Sequence, residues 1–276
     1  SFLVWSQDDL LALLEEEQAK VTDYALATFK GTRVINGHSV EVRSKHSLEM
    51  IIGHRFGRLN DGVSEFWGLD QAWIRLGLEY GITDNLTVGI GRSSFDKVLD
   101  GFLKYRLLRQ SSSFPFTITA FGSVARKTRE DLTLTSIDRM TYTSQLLIAR
   151  KLTSSFSLQI MPTMIQRNFV EDPNDANLLL STGVGGRLKL SQRMALVGEY
   201  YPQFTAQSER ISNVVAFGID IETGGHVFQL HFTNAVQMNE RGFIGETTGD
   251  FFNGDVHYGF NVTRVFDLKP EKIGTY

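Results

Sequence analysis

The side chains of this sequence that could take part in catalysis or metal binding are two histidines and the aspartates of a nearby loop. His54 and His257 lie near the ends of two predicted β-strands, and Asp250 and Asp255 precede the second histidine. A hydrolase needs a serine and an orienting polar group within reach of its histidine, and no serine falls in register with His54. The two aspartates and His257 are metal-ligand types, but a solvated loop explains them equally well. We therefore predict no enzyme activity, no cofactor and no metal site.

Other chemical signatures are absent from the sequence. It contains no cysteine, which excludes disulfides and thiolate metal sites. The pairs Gly89-x-Gly91 and Gly183-x-Gly-Gly186 fit glycines inside strands better than a phosphate-binding loop. The net charge of -3, with 21% charged residues, provides no basic field for nucleic acid.

Alternation between apolar and polar residues is the main structural signal. In residues 72–80, Ala72, Ile74, Leu76, Leu78 and Tyr80 alternate with Arg75, Gly77 and Glu79. A period of two predicts a β-strand with one apolar and one polar face. A turn at Thr83-Asp-Asn85 follows, and the pattern then repeats from Leu86 to Gly91.

The same pattern predicts twelve strands along the chain. Most of them match the roughly 9–11 residues that a tilted strand needs to cross a bilayer. They are placed near 46–56, 71–81, 86–93, 98–109, 115–127, 137–151, 156–168, 176–189, 194–204, 211–222, 226–236 and 256–266.

The connections between these strands alternate between two kinds. The short ones are Thr83–Asn85, Ser111–Ser113, Thr153–Ser155, Ser191–Arg193 and Thr223–Gly225. The long or polar ones are Gly57–Asp70, Ser94–Lys97, Thr128–Ser136, Val170–Asp175, Thr205–Glu209 and Gln237–Asp255. Outer-membrane barrels have short periplasmic turns and longer external loops. With twelve strands, both termini then fall on the periplasmic side.

Charged residues occupy the face opposite the apolar one, and a barrel would direct them into its lumen. Burying them in a dry sandwich core would be costly, although the solvent face of a soluble sandwich would also accept them. In a barrel they would line a wet lumen, where opposite charges pair across strands. The candidate lumen-lining residues are Glu49, Arg55, Arg75, Glu79, Asp100, Lys104, Arg106, Arg187, Glu199, Asp220 and His231.

The fold class predicted is therefore all-β, a transmembrane antiparallel up-and-down β-barrel of about twelve strands. Residues 1–6 resemble the end of a secretory signal peptide, and an ordinary ragged terminus is the alternative. Residues 7–45 are predicted to contain a short helix, Asp8–Lys20, and a plug or periplasmic segment. The barrel then spans residues 46–267 and ends in a strand, Tyr258–Phe266, that resembles a barrel-assembly signal. A tail at 268–276 follows.

Several motifs resemble one known family. They are Phe29-Lys-Gly-Thr-Arg-Val-Ile-Asn-Gly-His-Ser39, Ile52-Gly-His-Arg-Phe-Gly57, Phe66-Trp-Gly-Leu-Asp70 and the stretch from Leu78 to Gly91. Together they resemble DUF5777, a family of Bacteroidota outer-membrane β-barrel proteins for which no activity is established. The resemblance implies a location in the cell envelope and brings no catalytic residues with it.

Two functions remain open at this point. The first is a porin-like channel or small-solute transporter, with Arg55, Arg75, Arg106 and Arg187 forming a constriction. The alternative is a non-conducting structural or accessory subunit of an envelope complex. Its partners, besides outer-membrane lipid, would dock on residues 8–20 and 237–255. We favour the channel slightly, because a lumen of this size commonly conducts. An enzyme using His54 is a distant third.

Overall fold

A computed structural model describes residues 23–129, 133–205 and 207–268. The predicted signal-peptide remnant at 1–6 and the predicted helix Asp8–Lys20 lie outside these residues. The same holds for the tail beyond residue 268.

Twelve antiparallel strands form a closed barrel in the described residues, as predicted. Each strand pairs with its sequence neighbours, and the first pairs with the last through contacts such as Ile52↔Val262. Closure leaves no open sheet edge. The strands are β1 (Ser47–Arg58), β2 (Ala72–Gly81), β3 (Leu86–Ser93), β4 (Val98–Leu108), β5 (Thr117–Lys127), β6 (Met140–Lys151), β7 (Phe156–Arg167), β8 (Leu178–Lys189), β9 (Met194–Tyr201), β10 (Val214–Thr223), β11 (His226–Thr233) and β12 (His257–Asp267).

The strand ends differ little from those predicted. The start of β6 is among the largest differences, because a local turn delays it by three residues, from 137 to Met140. The backbone N–H and the hydroxyl of Thr135 donate to Asp138, and the N–H of Met140 donates to the carbonyl of Ile137. The exposed Asp138 carboxylate accepts these bonds from Thr135, which lowers its pKa. Side-chain-to-backbone bonds of this kind compete with strand pairing.

The connections fall on two ends of the barrel. We call one the short-turn end; it carries 82–85, 109–116, 152–155, 190–193 and 224–225. The other is the long-loop end, where 59–71 and 234–256 are the longest connections. A single α-helix of the described residues, α1 (Glu240–Gly245), lies in the last of these loops. Within the described ranges, no helix is long and apolar enough to cross a bilayer.

Large apolar side chains cover the outside of the barrel. Each of the following side chains is exposed: Ile74, Leu76, Ile90, Leu103, Leu146, Ile160, Leu180, Leu196, Phe217 and Leu230. So much outward apolar surface on every part of the wall suits a hydrocarbon environment rather than water.

Replacing Leu103 by arginine is expected to destabilise the barrel by about 2–4 kcal/mol, because Leu103 lies midway along β4 on this outer face. The same substitution at Leu108, at the end of the strand, should cost no more than about 1 kcal/mol. Urea unfolding in lipid vesicles measures both. Equal effects at the two sites would mean that the outer face is not in contact with lipid.

Candidate functional site

The N-terminal hairpin, residues 28–42, occupies the barrel lumen from the short-turn end. The chain passes that end at Ala25, whose N–H donates to the carbonyl of Gln110 at 2.9 Å. It returns there at Arg43, whose N–H donates to Oγ1 of Thr87 at 2.8 Å. Between these points most residues of the hairpin are buried. Both ends of the hairpin therefore lie at the same end of the barrel.

A tight turn forms the tip of the hairpin, as the Asn36-Gly37 pair predicts. The N–H of Val34 donates to the carbonyl of Gly37 at 2.8 Å. Glycine is needed here because of space rather than φ. A Cβ on Gly37 would lie 1.8 Å from the hydroxyl oxygen of Tyr201.

Glu199 of β9 anchors this tip. Its carboxylate accepts hydrogen bonds from the backbone N–H groups of Ile35, Asn36 and Gly37 at 3.2, 2.7 and 3.2 Å. A carboxylate is the strongest acceptor for converging backbone donors. Among the described side chains of the wall, Glu199 therefore accepts the most hydrogen bonds from the hairpin tip.

Neutral polar side chains of the wall satisfy the rest of the hairpin backbone. Gln159 both accepts from the N–H of Val40 and donates to the carbonyl of His38, each at 2.8 Å. Three more wall side chains donate to hairpin carbonyl oxygens. Thr119 donates to that of Val40, Gln229 to that of Val34, and Asn261 to that of Ile35. Buried backbone groups must find partners, and here side chains provide them where no neighbouring strand does.

The β11–β12 loop, residues 234–256, enters the lumen from the opposite end. All six residues of α1 are buried, and the ring of Phe243 packs edge-to-face on Tyr201 at 5.0 Å. This corrects part of the docking-surface expectation for 237–255. Residues 237–247 are mostly buried and cannot present their side chains to a partner, whereas Phe252 is 86% exposed.

The two inserted segments meet at Glu240. Its Oε1 lies 3.6 Å from Nη1 of Arg33 and 3.7 Å from Nε2 of His38. His38 is fully buried against the rings of Phe102 and Phe121, and this burial lowers its pKa well below the usual value. The His38 ring is therefore neutral at pH 7, and Arg33 makes the charged contact across the junction.

Arg75 and Asp100 form a buried ion pair across an intervening strand. Nε of Arg75 donates to Oδ1 of Asp100 at 3.1 Å, and Nη2 contacts Oδ2. The pair joins β2 to β4, so its side chains pass over β3. Gly91 of β3 permits this, because a Cβ there would lie 2.1 Å from Nη2 of Arg75.

The remaining lumen-lining candidates on β1 and β4 contact the hairpin. Glu49 accepts from the hydroxyl of Thr32 at 2.9 Å, and Arg55 donates to Oδ1 of Asn36 at 2.8 Å. Nζ of Lys104, which is fully buried, donates to the carbonyls of Thr32 and Glu41. Two more candidates pair with charged residues of the hairpin. Arg106 lies 3.7 Å from Glu41, and Glu79 of β2 lies 4.0 Å from Arg33.

The candidates on β8 and β10 bond to the wall itself. Arg187 lies 3.6 Å from Glu222, and Asp220 accepts from Gln229 at 2.8 Å. His231 of β11 is buried, and neither of its ring nitrogens has a hydrogen-bond partner among the described residues.

The four arginines of the expected constriction do not form one ring. Arg55 and Arg75 line a small common cavity, whereas Arg106 and Arg187 lie nearer the short-turn ends of their strands. The expected arrangement is wrong because alternation predicts the face of a strand but not the depth at which facing side chains lie.

Apolar residues fill much of the remaining lumen, and sequence reasoning missed them. Tyr201, for example, is fully buried inside the barrel. The doubled aromatic Tyr200-Tyr201 was the available signal, since adjacent strand residues face opposite sides. Inserted and wall residues form one apolar cluster: Phe29, Val34, Val40, Phe102, Phe121, Leu147, Ala149, Met161, Ile165, Leu179, Tyr201, Val214, Ala235, Phe243 and Ile244.

Two cavities open at opposite ends of the described barrel and share no lining residue. One, of about 560 Å³, lies at the long-loop end, with Lys127, Arg241 and Glu246 among its lining residues. The other, of about 290 Å³, lies at the short-turn end between the hairpin and Arg106. The hairpin and α1 lie between them, so the lumen is closed along its middle.

The histidines and the acidic loop have structural partners. His54 faces outward and stacks on Phe260 at 4.9 Å, and Nδ1 of His257 lies 2.8 Å from the carbonyl oxygen of Phe56. Asp255 accepts from Asn60 at 2.7 Å, which is the main reason that its pKa is lowered. Among the described residues, no three potential metal ligands converge.

The closed sheet with an apolar exterior defines a membrane-bound β-barrel. The chain belongs to the family described as a membrane bound beta barrel domain, DUF5777, which matches residues 29–266. No curated protein matches the sequence.

Solved structures to which the chain is similar include porins, an outer membrane channel and an outer membrane phospholipase A, all at low sequence identity. The NanC porin aligns with a TM-score of 0.51 at 9% identity, over 81% of this chain and 100% of that chain. The KdgM porin aligns with a TM-score of 0.48 at 9% identity, over 79% of this chain and 99% of that chain. An outer membrane channel from Pseudomonas putida F1 aligns with a TM-score of 0.45 at 13% identity, over 82% of this chain and 97% of that chain.

Proposed function

We propose that this protein is an outer-membrane barrel that forms a porin-like passage for small solutes, and that the N-terminal hairpin is its plug. The observation that carries the proposal is that the hairpin fills the lumen without contributing a strand to the barrel. None of the twelve strand pairings includes a residue of the hairpin. A barrel of this kind can open without breaking its wall.

The topology supports reversible closure. Both ends of the hairpin lie at the short-turn end, so it can leave as a unit without threading through the barrel. The β11–β12 loop is likewise attached at both ends to the long-loop end and can move outward. The usual orientation of such barrels places the hairpin on the periplasmic side and the loop outside.

A non-conducting accessory barrel is the second candidate. The apolar cluster shared by the hairpin, α1 and the wall favours it, because a permanently filled lumen would be built in this way. Residues 8–20 and the exposed part of 249–255 remain predicted docking segments for envelope partners in that case.

A reversible disulfide between the hairpin and the wall tests the two candidates. A Cβ on Gly185 would lie 3.3 Å from Cγ1 of Val34, and a cysteine at 34 can place its Sγ where that methyl group lies, within reach of a disulfide. The chain has no other cysteine. We therefore expect Val34→Cys with Gly185→Cys to lock the hairpin when oxidised.

The measurement is single-channel current in a planar bilayer, in a Glu199→Ala background that releases the hairpin tip. The oxidised protein should be silent, and reduction of the same protein should produce steady current. Each single cysteine variant should conduct whether or not it is reduced. Silence of the reduced protein and of both single variants would reject the passage and leave the accessory barrel.

A further inference from the structure

The wall of the lumen is divided into two halves of different chemistry. Along β5 to β8 the inward side chains are uncharged, except close to the strand ends. This half holds an apolar patch of Phe121, Leu147, Met161, Ile165 and Leu179, each almost completely buried, among neutral polar side chains such as Thr119 and Gln159. The charged half is formed by β1, β2 and β4, with Glu49, Arg55, Arg75, Glu79, Asp100 and Lys104.

The apolar patch in the uncharged half is unfavourable in a passage for water and simple ions. Exposing this patch to water would be unfavourable in proportion to the apolar area wetted. A solute that covers this half while it offers a polar group to the other half would remove the cost. The wall chemistry therefore selects for amphipathic solutes.

Lys104 lies at the boundary between the two halves. It is the register partner of Phe121 on the neighbouring strand, so the lysine and the aromatic side chain leave the wall at adjacent positions. In the closed barrel its Nζ donates to two carbonyl oxygens of the hairpin, those of Thr32 and Glu41. A hairpin apolar residue, Phe29, packs in the same cluster as Phe121.

The hairpin thus presents two oxygen acceptors to a buried ammonium group and an apolar body to the adjoining wall. A carboxylate reproduces the two acceptors with a stronger, charge-assisted bond. We infer that the lumen binds amphipathic monocarboxylates, with the carboxylate on Lys104 and the apolar or aromatic body against Phe121 and Leu147. The inference rests on the proposed function, because the solute takes the place of the hairpin.

Thiol labelling tests this displacement without any need for current. Val34→Cys places one thiol on the hairpin, where the native side chain is 1% exposed. A ligand that competes with the hairpin should increase the population of barrels whose hairpin lies outside the lumen, by mass action. The increase should be about tenfold when the ligand concentration is ten times the dissociation constant. We expect 3-phenylpropionate to accelerate labelling of the full chain by a maleimide, and hydrophilic gluconate to leave it unchanged.

The ratio of labelling rates with and without 3-phenylpropionate is the readout in each variant. Lys104→Met should abolish the acceleration, whereas Lys189→Met, on an exposed strand end, should retain it. Acceleration of equal size by gluconate, or retention of the effect in Lys104→Met, would overturn the inference.

Current through the reduced double-cysteine protein separates this inference from the proposed function. We expect 3-phenylpropionate to block that current and gluconate not to block it, with Leu147→Asn raising the half-blocking concentration by about tenfold, the equivalent of one lost apolar contact. Current that neither anion blocks would overturn the substrate class alone. Complete absence of current, together with unchanged labelling, would overturn both proposals.

Discussion

Replacing Asp100 by alanine is expected to destabilise the barrel by about 3–5 kcal/mol. The substitution leaves the guanidinium of Arg75 buried, at 4% exposure, without its carboxylate partner. Removing one partner of a buried pair costs far more than the pair contributes, because an uncompensated charge stays behind. Urea unfolding in lipid vesicles measures the loss.

A matched double variant distinguishes the charge from the packing. Arg75→Met combined with Asp100→Leu removes both charges and keeps apolar volume, so it should recover most of the stability. Gly91 lies beneath the arginine, and its lack of a side chain leaves room for methionine as well. A loss below about 1 kcal/mol for Asp100→Ala, as at exposed pairs, would mean that Arg75 is hydrated or paired elsewhere.

This ion pair also shows what sequence reasoning can and cannot provide. Alternation places Arg75, Asp100 and Lys104 on the polar face of their strands, because side chains point to opposite faces in turn. It does not provide the partner of each charge. Cross-strand pairing was expected between neighbours, yet Arg75 reaches past the glycines of β3 to the next strand. Such contacts depend on the curvature and closure of the wall.

The filling of the lumen was the least predictable feature. The segment 28–42 reads as short extended pieces around a turn, which says nothing about whether it lies inside or beneath the barrel. Its docking depends on hydrogen bonds between residues far apart in the sequence, such as those from the backbone N–H groups of Asn36 to Glu199 and of Val40 to Gln159. Strands β5 to β8 did carry a local signal. Leu146-Leu147-Ile148 and Leu178-Leu179-Leu180 are apolar on both faces, which indicates a strand covered on its inner side as well.

The carboxylate of Glu199 brings these distant segments together, and its loss should release the hairpin. It accepts three backbone N–H groups of the tip, and hydrogen bonds to a charged group contribute about 1.5–3 kcal/mol each. Since the three donors share one acceptor and can find water after opening, we expect Glu199→Ala to cost about 3 kcal/mol of docking free energy. That corresponds to a roughly 100-fold increase in the open population.

Hydrogen exchange at the amides of Ile35, Asn36 and Gly37 measures this population directly, because these amides exchange when the hairpin opens. Thr233→Ala is the matched control, since Thr233 accepts one bond from the hairpin, from the side chain of Asn36 at 3.3 Å, and otherwise bonds within its own loop to the N–H of Ala235. It should accelerate exchange less than tenfold, in keeping with a neutral hydrogen bond. Amides in β1 should be unaffected by Glu199→Ala if the hairpin opens independently of the wall. Equal acceleration in β1 and in the tip would instead show that the hairpin and the barrel unfold as one unit, which a plug that opens and closes cannot do.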